Sequence, residues 1–285
     1  MKSRKLKIFL IILGSIFFIS FLATIMESGL STGKIAIVNV KGVIVDSTAI
    51  VEEIKQYKKN PSVRAIIIRV DSPGGAVVPS QEIYEEIKRT TKVKPVVVSM
   101  GSVAASGGYY ISCPATKIIA NPGTLTGSIG VLMELPNIKG LLDKIGIKAE
   151  VIKSGRYKDM TSPLKPLQSD EREVLQNLLD DVHTQFINAV AEGRKISLER
   201  VKKIADGRVF TGIKAKEIGL VDEIGDLDHA IKVAAQLGKI RGEPDIIMKK
   251  STLLKDFLKG DTESIIKKIL PHLQLYYIYR PQIEN

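Results

Sequence analysis

One cysteine, Cys113, stands alone among 285 residues, so the chain forms no internal disulfide and its cysteine usage says little about redox compartment. It follows an apolar stretch and reads as a buried core residue. Histidine is nearly as scarce. His183, His229 and His272 fall in helical patterns or near the tail, and with Cys113 they offer no metal-ligand spacing. There is no G-x-x-x-x-G-K-[ST] loop and no G-x-G-x-x-G loop, which leaves no sequence ground for a nucleotide cofactor. No zinc-finger spacing and no basic stripe interleaved with aromatics is present, which argues against nucleic acid. No internal repeat and no Pro- or Ser-rich linker divides the chain. Twelve prolines and 23 glycines are ordinary usage, and 44% hydrophobic residues suffice for a real core.

Positive charge is in excess, with 42 Lys+Arg against 31 Asp+Glu and a net charge of +11. Most of it reads as solvated surface, with attraction to anionic lipid head groups as the sharper possibility. One long apolar run is present, Ile8 to Met26, without a charge. At ~1.5 Å per helical residue it spans roughly 28 Å, close to a bilayer core. Lys2, Arg4, Lys5 and Lys7 precede it and Glu27 follows, so the positive-inside rule puts the N-terminus in the cytoplasm and the body outside. The run is longer than a signal-peptide core, and L-A-T-I-M-E-S is a poor cleavage site. The expected plan is a basic tip over 1–7, an anchor over 8–26, one domain over 27–250, and a basic tail over 251–285.

Within the body, an opening strand and turn are expected over Gly33–Val45, and strands over Val63–Val70, Pro95–Met100, Lys117–Ala120, Ile129–Met133 and Lys148–Ile152. Helices are expected over Thr48–Lys59, Ser80–Thr91, from Ser106, and over Ile138–Ile145. The second half reads as helical: Ser169–Glu192, Ser197–Ala205 with Ser197 as N-cap, Gly212–Ile218 and Leu227–Leu237. Strands alternating with helices predict an α/β fold with a largely parallel sheet.

Two segments carry chemistry. Ser106 sits in G-S-V-A-A-S-G-G-Y-Y, after an apolar strand and at the start of a helix. Lys158 sits in S-G-R-Y-K-D-M. A serine hydroxyl attacks only when a base takes its proton. Lysine can serve only when neutral; with a reference pKa near 10.4, about one in 2,500 is neutral at pH 7. Burial away from water favours the neutral form. A carboxylate against the amine would oppose it. Asp159 is adjacent, but on an extended segment neighbours point to opposite sides. The Gly107 N–H follows the serine and could stabilise an oxyanion. D-S-P-G-G, Asp71 to Gly75, could supply a second donor. Read alone, S-G-G and P-G-G are also ordinary turns, and a lysine is usually solvated. A histidine base is the rival within hydrolases.

Five blocks in order resemble the signal peptide peptidase A family in its short, single-copy bacterial form, within the Clp-protease/crotonase superfamily: D-S-P-G-G, G-S-V-A-A-S-G-G-Y-Y, T-G-S-I-G-V, S-G-R-Y-K-D-M and D-G-R-V-F-T-G-I-K-A-K-E-I-G-L-V-D. The likeness runs from about Lys34 to Gly238. It implies a spiral of βαβ units with a helical second half, preceded by one transmembrane helix. It implies a serine endopeptidase with Ser106 as nucleophile, Lys158 as general base and Ser128 orienting the lysine. Gly75 and Gly107 match the oxyanion-hole backbone, with Gly74 the alternative to Gly75. No cofactor or metal is implied. The expected substrates are cleaved signal peptides, cut within their hydrophobic stretch. The expected partners are the membrane and copies of the same chain, in an octameric ring where neighbours share the dyad. The expected location is the bacterial cell membrane, single-pass, with an extracytoplasmic catalytic domain. The apolar, aromatic tail Leu273 to Arg280 resembles tails that occupy active sites in some relatives. A regulatory envelope protease of the same superfamily and a non-catalytic membrane scaffold are the alternatives, with an acyl-CoA enzyme of the crotonase type more distant.

Overall fold

The computed structural model describes residues 13–15, 18–20, 33–249 and 276–278. The expected anchor over 8–26 and most of the tail lie outside the described residues. Among the described residues no helix is long and apolar enough to cross a membrane.

Three strands form the centre. β1 (Lys34–Lys41), β2 (Val63–Ser72) and β4 (Val96–Ala105) pair in parallel, Ile37 opposite Ile67 and Ile67 opposite Val97. Their near-continuous apolar runs suit a sheet covered on both faces, and side-chain alternation sorts them. Ile35, Ile37, Ala65, Ile67 and Val97 face Ala230, Val233 and Ala234 of α8 (Leu227–Leu237). Ala36, Val38, Ile66, Ile68, Val96 and Val98 point the other way. There they meet α1 (Thr48–Lys59) through Ile54 and Tyr57, and α2 (Val77–Thr91) through Ile83, Tyr84 and Ile87. Tyr109 of α3 (Gly107–Ser112) and Phe186 of α5 (Ser169–Arg194) complete that layer. Tyr110 sits between Tyr84 and Phe186, with ring centroids 5.0 Å from each.

The helical second half also returns strands to the sheet. β5 (Lys117–Ala120) pairs with β4 and β8 (Glu223–Ile224). β6 (Leu125–Gly127) pairs with the end of β4 and, antiparallel, with β7 (Val209–Thr211), which leads into α7 (Gly212–Glu217). β9 (Asp245–Met248) pairs with β1. The short α6 (Leu198–Lys202) starts after Ser197, as the sequence predicts.

Two expected strands are absent. Residues 129–133 form an irregular segment, and Lys148–Ile152 has no strand partner. The first leads into an arm, residues 135–168, and the second lies within it. The one helix of this arm, α4 (Lys139–Lys144), buries no residue. Leu141, Ile145, Ile147 and Ile152 are exposed, Ile152 by 96%. Apolar side chains at alternating positions make a strand only beside a sheet edge, and this arm has none.

Ile67 is fully buried in the layer under α8. Ile67→Ala is expected to cost about 2–5 kcal/mol, measured as a lowered urea midpoint at unchanged slope.

Candidate active site

Where β4 ends, the register pairs Ala105 with Gly127, the last residue of β6. The Ser106 N–H donates to the Gly127 carbonyl at 2.8 Å, and the Ser106 carbonyl accepts the first helical bond from Tyr110 at 2.8 Å. Ser106 thus closes the strand and opens α3 at once. The turn between them forces φ to +53° with ψ at −116°, a conformation that an L-residue keeps only when its surroundings impose it. Its residue surface is 1% exposed, and its Oγ has no hydrogen-bond partner.

The facing segment repeats the pattern. Gly127 has φ +82° and Ser128 φ +50°. The Ser128 N–H donates to the Arg208 carbonyl at 2.9 Å. A Cβ on Gly127 would meet the Phe210 ring at 2.7 Å. The D-G-R-V-F block, through β7, therefore buttresses Gly127 and Ser128. Arg208 clasps Asp206 through both carboxylate oxygens and holds its pKa down to about 2. Ser128 also edges a cavity of about 530 Å³ lined by Leu132, Leu179, His183 and Asp206 among others.

The glycine loop comes in from β2. Ser72 is opposite Ala104, just before the serine turn. A Cβ on Gly108 would lie 2.6 Å from the Ser72 carbonyl oxygen, so only glycine there lets α3 abut this strand end. The buried Ser72 Oγ accepts the Gly74 N–H at 3.1 Å and fixes the turn into β3 (Gly74–Ala76). Gly74 has φ +101°. On one side of β3, Ile44 donates to the Gly74 carbonyl (2.9 Å) and accepts from Ala76 (2.7 Å). The other side carries β10 (Tyr276–Ile278), antiparallel, with Tyr277 opposite Gly75. β3 and the part played by Ser72 are features that the sequence reading missed, with the paired glycines as the only signal; β10 falls within Leu273 to Arg280, the stretch expected above as an active-site occupant.

The structure thus gathers Ser106, Gly107, Ser128 and the Gly74–Gly75 loop around one turn. It does not bring Lys158 to the Ser106 hydroxyl, which has no hydrogen-bond partner. Lys158 is exposed on the arm, its N–H donating to Gly155 at 3.2 Å. The expected extended segment is a series of turns, so alternation does not separate Asp159 from Lys158. Asp159 instead accepts Lys153 Nζ at 2.5 Å and pairs with Lys165 at 3.3 Å. Lys165 also pairs with Glu171, which accepts the Gln168 N–H at 3.1 Å at the start of α5.

The histidines stay apart from the serine: His229 pairs with Glu223 at 2.9 Å, and His183 Nε2 is buried without a hydrogen-bond partner. His272 lies outside the described residues. Cys113 is fully buried at the end of α3, and burial pushes its thiol pKa well up. That is the core role its setting predicts.

The peptidase family S49 model matches residues 88–241, more than half of the chain, and a Clp protease model matches residues 28–124. A "Putative protease" of Synechocystis sp. is 43% identical over 237 residues, covering 81% of this chain and 84% of that protein. Protease 4 of Haemophilus influenzae is 36% identical over 256 residues, 82% of this chain and 42% of that protein. A "Putative signal peptide peptidase SppA" of Enterococcus faecium is 37% identical over 220 residues, 72% of this chain and 64% of that protein. The chain belongs to peptidase family S49. It is a serine protease of that family, and its mixed α/β sheet accords with the Clp-protease match. It spans most of the first relative and about two-fifths of Protease 4.

A methyl at Gly75 would lie 2.0 Å from the Ile44 carbonyl oxygen, a backbone atom that cannot step aside alone. Gly75→Ala is expected to lower peptidase activity at least about tenfold and to reduce stability by roughly 1 kcal/mol or more. Gly123→Ala, with open space around it in the turn between β5 and β6, is the control and should keep both within error. Peptide turnover and thermal melting of the pair check this.

Proposed function

We propose that this chain is a membrane-anchored serine endopeptidase that cleaves remnant signal peptides within their hydrophobic stretch. The observation that carries the catalytic reading is the Ser106 hydroxyl, buried and without a hydrogen-bond partner on a strained strand-to-helix turn. Buried hydroxyls are nearly always satisfied, and one that is not calls for a partner from elsewhere.

That partner is Lys158 of a neighbouring copy. Its exposure on an arm with exposed Leu141, Ile145, Ile147 and Ile152 supports this, since such a surface suits burial against another subunit. A head-to-tail arrangement of this kind closes into a ring; eight copies is the expected count. The neutral amine takes the Ser106 proton as Oγ bonds to the scissile carbonyl carbon. Ser128 orients the amine. The oxyanion receives the Gly107 N–H and the Gly75 N–H. Gly75 is favoured over Gly74 because the Gly74 N–H is already given to Ser72 Oγ. The lysine then passes its proton to the departing amine as the C–N bond breaks. Water, deprotonated by the same lysine, releases the acyl group.

The pairing of β10 with Gly74–Ala76 supports an extended peptide lying along the glycine strand by β-addition. In this reading the tail 251–285 is an active-site ligand that a substrate must displace. An apolar peptide left in a bilayer is accessible to an enzyme anchored beside it. The uncharged run 8–26, after four basic residues, is that anchor and sets the body on the extracytoplasmic side.

Ser106→Ala and Lys158→Ala are each expected to abolish cleavage of a hydrophobic signal-peptide substrate while the assembly persists on size exclusion. Near-normal turnover in either variant sinks the dyad. Mixing the two inactive variants before assembly should restore part of the activity if neighbours share the site.

A further inference from the structure

The turn that carries Lys158 holds more charge than its own chemistry needs. Asp159 follows it directly. A free carboxylate beside a general-base lysine favours the ammonium and works against the reaction. Around this turn the charged groups are Lys153, Arg156, Lys158, Asp159 and Lys165 on the arm, and Asp170 and Glu171 on α5. Apart from Lys158 they pair off. Asp159 accepts Lys153 at 2.5 Å and Lys165 at 3.3 Å. Lys165 continues to Glu171. Arg156 pairs with Asp170 at 2.7 Å. Three cations and three anions cancel, and Lys158 forms no ion pair among the described residues.

The arrangement also fixes the turn in space. Lys153 Nζ donates to the Arg156 carbonyl at 2.8 Å, so it ties both sides of the turn together. Glu171 is a capping residue of α5, its carboxylate taking the Gln168 N–H. The chain Lys153–Asp159–Lys165–Glu171 therefore links the lysine turn to the first turn of the 26-residue α5. The Asp159 side chain is only 13% exposed and that of Glu171 5%, which limits screening by water. The carboxyl of Asp159, held mainly by Lys153 and then by Lys165, lies below the usual carboxylate range. It stays ionised and engaged across neutral pH.

We propose that Lys153 and Lys165 are positioning residues for Lys158: they hold Asp159 away from the catalytic amine, cancel its charge, and anchor the turn to α5. This rests on Lys158 being the general base. Removing either cation leaves one uncompensated negative charge near the amine. That charge favours the ammonium and moves the acid limb of the rate profile up by about half a pH unit.

The experiment measures kcat/KM against pH for the full-length assembled enzyme with a fluorogenic peptide, for wild type, Lys153→Met, Lys165→Met and Lys165→Arg. Acylation of Ser106 by a fluorophosphonate is a second readout. Both methionine variants are expected to shift the acid limb to higher pH, with activity midway down the limb lower by about threefold and the alkaline plateau within about twofold. Lys165→Arg should restore the wild-type profile. Added salt should narrow the difference, since the effect is electrostatic. A limb that stays in place while the plateau falls means a purely structural role and overturns the proposal. Should Lys165→Met fail to assemble through loss of the Glu171 contact, Lys153→Met, which touches no helix cap, decides the outcome. An active Lys158→Ala variant would instead defeat the dyad itself, a separate failure from an unmoved limb beside an inactive Lys158→Ala.

Discussion

The pairing of Ala105 with Gly127 sets the geometry from which the site is built. It brings the end of β4 against the end of β6, so that the next residue on each strand is a serine. Both serines take positive φ, and the Ser106 N–H closes the contact on the Gly127 carbonyl. Such backbone conformations cost of order 1–3 kcal/mol each. The surroundings overdetermine them: β7 grips Ser128 from behind, and α3 begins immediately after Ser106. A hydroxyl held in this way has few alternative orientations and no local partner. Strain and desolvation meet at this one hydroxyl.

The parallel sheet makes this strain sustainable, because its three central strands are covered on both faces. Ile37, Ile67 and Val97 pack toward α8, while Val38, Ile68 and Val98 pack toward α1, α2, α3 and α5. Strand ends in such a sheet cannot drift without disrupting two layers. The C-terminal ends of β2 and β4 are then fixed points, and the glycine loop and the serine turn grow from them. Open crevices at the carboxyl ends of parallel strands are the usual place for ligand sites. The glycines have specific jobs here. Gly108 admits the Ser72 carbonyl, and Gly75 admits Ile44.

The arm is built on the opposite principle. Its helix contributes nothing to the core, and its conformation is kept by ion pairs and by the bond from Ile138 N–H to the Pro163 carbonyl. Exposed aliphatic side chains beside a compensated cluster of charges set it apart from the packed body. The sheet is held rigid by packing on both faces, while the arm projects and is organised by charge.

The central strands, the long α5 and the serine at the head of α3 were legible in the residues alone, because apolar runs, helical periodicity and glycine motifs are local signals; the family was legible through the resemblance of five ordered blocks. Ser128 and the glycine loop were marked too, through the resemblance of ordered blocks. β3, β6, β7 and β9 were not, since they are strands of three or four residues that exist only because a partner edge is waiting. Alternation misled at Lys148–Ile152, where the pattern of a strand occurs without a sheet beside it. Nor could it place Asp159, whose direction depends on Lys153 and Lys165, six residues away on either side. That Ser106 Oγ is buried without a partner, and that Lys158 stands exposed, emerged from the folded chain and from nothing earlier. Those two facts depend on which surfaces meet, and contact between distant segments is not written in any local run of residues.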